Sequence, residues 1–181
     1  MRKIFLFMMV SLDGYFEGVN HDLSWHHVDA EFEQFANAQL DETDTLIFGH
    51  KTYDLMADYW PAQLVEEPED GTAVRMNKLH KIVFSHSPLT PEWKDTEASN
   101  DLQAKVTELK QQAGKDIAVL GSSHLGKEML EAGFLDEVRI MVNPLFIGEG
   151  SPLFDGLRKE LTLTNTRTFK NGNVLLTYSA A

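Results

Sequence analysis

Leu46-Ile47-Phe48-Gly49-His50-Lys51-Thr52-Tyr53 is the stretch that decides the fold. An apolar run stops at glycine and a polar first turn follows at once, the pattern of a buried strand running directly into a helix. The same pattern returns in Val119-Leu120-Gly121-Ser122-Ser123-His124-Leu125-Gly126-Lys127. Outward from these two points, short apolar runs bounded by polar residues or glycine occupy residues 4–10, 45–48, 81–85, 116–120 and 137–142. Helical spacing fills the intervals. Leu102, Val106, Leu109 and Ala113 recur at i, i+4, i+7 and i+11; Leu125, Met129 and Ala132 form a second stripe. Phe32, Phe35, Ala36 and Leu40 form a third over residues 29–40, with Asp29 placed as its N-cap. Strands alternating with helices predict βαβ units and an α/β fold, a mostly parallel central sheet flanked by helices.

The period changes near the end of the chain. Leu161, Leu163, Asn165, Arg167 and Phe169 fall on one face, Lys170-Asn171-Gly172-Asn173 supplies a turn, and 174–178 returns. A C-terminal antiparallel hairpin therefore makes the sheet mixed. Residues 61–71, with the acidic run Glu66-Glu67-Pro68-Glu69-Asp70, read as a solvated surface loop. No Gly/Ser or Pro linker divides the chain, and 181 residues fit a single domain, 1–181.

Composition narrows the partners. Sixteen Lys and Arg against twenty-eight Asp and Glu leave a net charge of −12. Nucleic acid and anionic membrane surfaces are repelled at long range, so neither is an expected partner. The absence of cysteine excludes disulfides, thiolate zinc and a cysteine nucleophile. Met1-Arg2-Lys3 before residues 4–10 has the look of a basic start and an apolar core. That run is seven residues long and leads into Ser11-Leu12-Asp13-Gly14, not a small-residue cleavage site, so it reads as a first strand. With no run near the ~20 apolar residues of a bilayer span, the expected location is cytoplasmic.

The two strand-glycine-helix turns carry the most chemistry. Helix first turns favour carboxylates, yet here they hold His50, Lys51, Thr52 and Ser122, Ser123, His124. Cations at the positive end of a helix dipole point to a missing anion, and two such ends on one sheet suit the phosphates of a dinucleotide. The competing reading makes Thr52 and Ser123 simple caps. Neither turn is a GxGxxG fingerprint or a P-loop. Asp13, just past the first strand, is either a turn aspartate or an acid at the crevice above the sheet's carboxyl edge. Glu31, four residues before Phe35, borders an apolar stripe; partly buried there, it would have a raised pKa and could pass or orient a proton. The other reading leaves it solvated. His21, His26 and His27 lie near Asp22 and Asp29, but no two of the histidines are spaced i, i+4, so no metal is expected. No GxSxG elbow marks a hydrolase.

Several of these motifs resemble a known family. Phe48-Gly49-His50-Lys51-Thr52-Tyr53-Asp54 is similar to the first cofactor motif of dihydrofolate reductases, and Gly121-Ser122-Ser123-His124-Leu125-Gly126-Lys127-Glu128 to their second. Glu31-Phe32-Glu33-Gln34-Phe35 resembles the helix bearing their single acid. Ser11-Leu12-Asp13-Gly14, Arg75-Met76-Asn77-Lys78 and Leu135-Asp136-Glu137-Val138 through Gly148-Glu149-Gly150 resemble a sister branch, the reductase domain of bifunctional riboflavin-biosynthesis deaminase/reductases and its stand-alone relatives. The resemblance implies a three-layer dihydrofolate-reductase-like fold, a small heterocyclic substrate of pterin, folate or aminopyrimidine type, NADPH as hydride donor, and a homodimer. It implies that Gly49, His50, Lys51 and Thr52 meet cofactor phosphates, that Ser85 and His86 lie near the adenosine 2′-phosphate, and that Gly121, Ser122, Ser123 and Leu125 receive the pyrophosphate. Glu31 and Asp13 take the catalytic acid positions of the two branches.

Three departures stand out. Ser122 replaces the second glycine of a pair, His50 stands where many relatives carry arginine, and Tyr15 stands where the riboflavin branch has lysine. A non-catalytic nucleotide-binding or dimeric interaction protein that kept the fold is the rival expectation; hydride-transfer turnover separates the two.

Overall fold

In β1 (Ile4–Val10) alternate side chains serve two cores: Ile4, Leu6 and Met8 pack to one side, Phe5, Phe7 and Met9 to the other. A strand buried on both faces needs no polar alternation, which is why its sequence is a continuous apolar run. The computed structural model describes residues 2–180. After β1 come β2 (Tyr15–Glu17), α1 (Ala30–Asp41), β3 (Thr43–Gly49), α2 (His50–Glu66), α3 (Gly71–Lys78), β4 (His80–Phe84) and β5 (Thr96–Ser99). Then follow α4 (Leu102–Gln111), β6 (Asp116–Leu120), α5 (Ser123–Glu131), β7 (Glu137–Val142), β8 (Ser151–Pro152), β9 (Thr162–Thr168) and β10 (Val174–Ser179).

Eight of the strands form one sheet in the order β5-β4-β3-β6-β1-β7-β10-β9; β2 and β8 form a separate pair. All neighbours from β5 to β7 are parallel, and β10 and β9 add the antiparallel end. Val106 and Leu109 of α4 and Leu125, Met129 and Leu130 of α5 cover the Ile4/Leu6/Met8 face. Leu40 of α1, Tyr53 of α2 and Met76 of α3 cover the opposite face with Phe5 and Phe48. These are the expected three layers.

One expectation fails. Residues 61–71 are not one loop: α2 continues through Pro61 to Glu66, and α3 begins at Gly71. Proline removes one backbone donor and normally breaks a helix. Here tertiary contacts carry the helix past it, since Trp60 packs into the Tyr53/Met76 cluster and its carbonyl accepts from Asn77 Nδ2 at 2.9 Å. The hairpin strand carrying Leu163 is exposed. All seven residues of β9 are exposed, because it is the sheet's last strand; Phe169, just beyond it, enters the core, and Leu161, just before it, packs partly buried against the other face's cluster. The charged Lys81 is fully buried, its Nζ donating to the carbonyls of Met76, Asn77 and Leu79 beneath the end of α3.

Candidate functional site

Parallel pairing brings the carboxyl ends of β4, β3, β6, β1 and β7 to one edge. The turns after β3 and β6 dock on each other there. Gly49 N donates to Ser122 Oγ at 2.7 Å. Gly121 has φ +62°, and a Cβ on it would lie 3.1 Å from Thr52 Cγ2, so glycine permits both the turn and the contact. A Cβ on Gly49 would meet Ser122 Oγ at 3.3 Å and Leu125 Cβ at 3.7 Å. From the next strand, Ser85 Oγ meets His50 Nδ1 at 3.1 Å and donates to Ser87 O at 2.8 Å. Nε2 of the same ring lies 3.5 Å from Asp54 Oδ2. Gly49, His50, Thr52, Ser85, Gly121, Ser122 and Leu125 thus form one constellation. Lys51 and His86, each next in sequence, are exposed beside it, and Ser123 is buried beneath.

The helix ends at this constellation differ from the other three. Asp29, Asp70 and Asp101 cap α1, α3 and α4 by accepting from first-turn N–H groups. The N-caps of α2 and α5 are Gly49 and Ser122, and neither makes a side-chain capping bond. The capping reading of Thr52 and Ser123 therefore fails. Ser122 itself sits in the left-handed region, φ 60° and ψ 63°. The conformation costs a non-glycine residue about 1 kcal/mol, and the bond to Gly49 N offsets it.

Asp13 and Glu31 occupy separate places on the same edge, and no hydrogen bond joins them. Asp13 Oδ1 and Oδ2 accept from Ile147 N at 3.2 Å and Gly148 N at 2.8 Å, tying the turn after β1 to the loop after β7. The Ser11 hydroxyl and these N–H groups hold its carboxyl below the usual range. Glu31, in the first turn of α1, accepts from Lys170 N at 3.0 Å and lies 3.4 Å from Arg167 Nη2. It lines an open hollow of about 470 Å³ with Arg167 and Lys170. The raised pKa expected for Glu31 is overturned. The Lys170 N–H and then Arg167 lower it, outweighing partial burial. Both carboxylates are ionised at neutral pH, suited to accept a hydrogen bond from a ring N–H.

Sequence reasoning missed the residues that hang the segment before α1 over this edge. Asn143, fully buried after β7, donates from Nδ2 to Val10 O at 3.2 Å and accepts from His27 N at 2.9 Å. Asn173, also fully buried, donates to His27 O at 2.9 Å. An asparagine beside a strand reads as turn chemistry, so nothing in the string marks either one. His26 Nε2 is buried without a hydrogen-bond partner, and burial pushes the ring's pKa down to about 4. Gly150 closes the other side: a Cβ there would lie 2.2 Å from Glu17 O. Among the described residues no group of three or more His, Asp or Glu is placed to hold a metal ion, and no helix is long and apolar enough to cross a membrane.

The sequence matches the family model of the RibD C-terminal domain over residues 2–175. The chain belongs to the RibD C-terminal domain family. Within reach of this RibD-type chain is the uncharacterised protein YyaP of Bacillus subtilis (strain 168), 32% identical over 181 residues, 98% of this chain and 94% of the relative. A crystal structure of a putative riboflavin biosynthesis protein from Shewanella sp. PV-4 shares the fold at TM-score 0.73 and 20% identity, covering 98% of each chain. The Thermotoga maritima diaminohydroxyphosphoribosylaminopyrimidine deaminase/5-amino-6-(5-phosphoribosylamino)uracil reductase matches at TM-score 0.69 and 17% identity, over 98% of this chain and 56% of its own. The common architecture is the dihydrofolate-reductase-like fold.

Proposed function

We propose that this RibD-type domain is an NADPH-dependent reductase of a small heterocycle, of the pterin, folate or aminopyrimidine kind, working as a homodimer. The family points to a reductase of the riboflavin-pathway type. The observation that carries the cofactor is the pair of docked helix ends: two N-termini without side-chain caps, joined by Gly49 and Ser122, with His50 and Lys51 in the first turn. The donor set fits a dinucleotide's phosphates, since first-turn N–H groups have no intrahelical acceptors and the dipole's positive end faces outward. Lys51, His50, Ser85 and His86 would hold phosphate oxygens; Gly121 would let the backbone approach the pyrophosphate. NADPH, when bound, supplies the hydride. The chain orients the two rings and excludes water. Asp13 and Glu31, both ionised, would hold the acceptor ring through its N–H groups, and the proton would enter from water.

The deciding measurement is cofactor titration by nicotinamide fluorescence. NADPH should bind more tightly than NADH, and His50→Ala or Lys51→Ala should each weaken NADPH by about tenfold, the loss of one charge-assisted hydrogen bond. Equal binding of the two cofactors, or none, would overturn the reading. Turnover on dihydropterin or aminopyrimidine substrates should disappear in the Asp13→Asn/Glu31→Gln double variant; cofactor binding without turnover on any of them would favour a non-catalytic nucleotide binder.

A further inference from the structure

The cofactor constellation occupies the ends of β4, β3 and β6. Next along the same edge, the ends of β1 and β7 bear three loops that together form a mouth. Leu12 N bonds Leu145 O at 2.8 Å, Asp13 clamps residues 147 and 148, and Asn143 holds His27. Ser151 Oγ donates to Glu17 Oε1 at 2.7 Å and completes the wall. Ten large apolar side chains are exposed among the described residues, and five belong to these loops: Leu12, Val19, Leu23, Val28 and Phe146. Monomeric surfaces scatter such residues singly; a concentration around one crevice marks a binding surface. Trp25 lies on the same loop as Leu23 and Val28, its Nε1 donating to Asp22 O at 3.0 Å and its ring edge-on to His26 at 4.4 Å.

Charge discriminates further. Residues 11–30 and 143–152 contain no Lys and no Arg, but they contain Asp13, Glu17, Asp22, Asp29 and Glu149. Four of those carboxylates are already engaged by hydrogen bonds within the loops: Asp13 by Ile147 and Gly148, Glu17 by Ser151 and His21, Asp22 by Ser24, and Asp29 by Phe32. Their negative charge repels an anion. The basic residues tied to this end of the sheet are Arg167, engaged by Glu31, and Lys170 on the hairpin.

Resting on the reductase reading, we propose that this mouth takes a ring compound bearing neither phosphate nor a carboxylate tail. Free pterins and unphosphorylated aminopyrimidines fit it; folates and phosphoribosyl compounds do not.

Direct binding tests this without turnover. Quenching of tryptophan fluorescence, with Trp25→Phe as the control for location, should be followed for two matched pairs at low salt. One pair is 5-amino-6-(5-phosphoribosylamino)uracil and its dephosphorylated form; the other is dihydrofolate and 7,8-dihydropterin. The uncharged member of each pair should bind more tightly by about tenfold, with the gap closing as salt screens the loops' charge. Phe146→Arg, at a side chain 73% exposed, should narrow the gap for the phosphorylated uracil. Equal or tighter binding of the anionic members, or binding of none of the four, would overturn the proposal. NADPH is titrated separately. Failure there with ring binding intact rejects the reductase reading alone; NADPH binding with a preference for phosphate rejects the mouth's selectivity alone.

Discussion

Ser122 holds a backbone conformation that glycine adopts freely, and its hydroxyl reaches the N–H of Gly49 across 73 positions of sequence. The two substitutions that separate these effects give an ordered prediction. Ser122→Gly loses the bond and relieves the strain, so its stability should stay close to the parent's. Ser122→Ala loses the bond and keeps the strain, so it should fall about 1 kcal/mol below the glycine variant in urea unfolding. An alanine variant as stable as the glycine variant would remove the left-handed strain from the account. At this scale the sequence was half legible. Glycine, histidine, threonine and serine at the two turns mark the constellation, because the proposed phosphate binding needs those residue types. That the serine would act as a strap between the turns, and that Glu31 would meet Arg167 and a backbone N–H instead of an apolar wall, depends on contacts with β6–α5 and the hairpin that no local pattern records.

The loop over residues 18–29 behaves as an element of its own, fastened by Asn143 and Asn173 and packed around His26. The folded pKa of His26 is about 4, below the ordinary 6.5. Between those values the unfolded chain binds a proton that the folded chain refuses, so stability falls as pH drops from 6.5 toward 4 and no further below it. From pH 6.5 to 4.5 the loss attributable to His26 should be about 2 kcal/mol, and His26→Gln should remove it. Urea titrations at the two pH values check this; an unchanged pH dependence in the variant would mean the ring charges without cost. Elements were legible in proportion to how strongly burial writes their period. β1, β3, β4, β6 and β7 announce themselves as apolar runs because each lies inside the sheet. β5, with Glu97 in a four-residue edge strand, carries no such run. Helix α3 hides behind the acidic stretch, and Pro61 conceals the continuation of α2 because the contacts that sustain it come from Asn77 and the Trp60 pocket. The mouth was illegible for a related reason: apolar loop residues look like core residues until the fold leaves them outside.

For the molecule as a whole, a charge of −12 opposes self-association everywhere except where acids are missing. β9 is such a place. Its seven exposed residues, Thr162–Thr168, include Arg167 and no carboxylate, and as the end strand it presents an unpaired edge. The proposed homodimer should form there. Sedimentation at micromolar concentration should give a dimer mass, and Leu163→Asp, which sets like charges near each other across a two-fold axis, should give a monomer with unchanged secondary structure. A monomeric parent, or a dimer indifferent to the change, would move the interface elsewhere or abolish it.

The sheet's order also governs its birth. β1 is made first, yet both its neighbours come late: Ile4 pairs with Ile117 of β6, and Val10 with Val142 of β7. At about 5–20 residues per second, a ribosome needs roughly seven to twenty-six seconds to deliver those partners, and throughout that time Ile4–Val10 is an apolar segment with no ladder to join. Nascent chains of this protein should therefore depend on holding by chaperones until β7 has emerged, and truncations ending before residue 137 should be insoluble where the full chain is not.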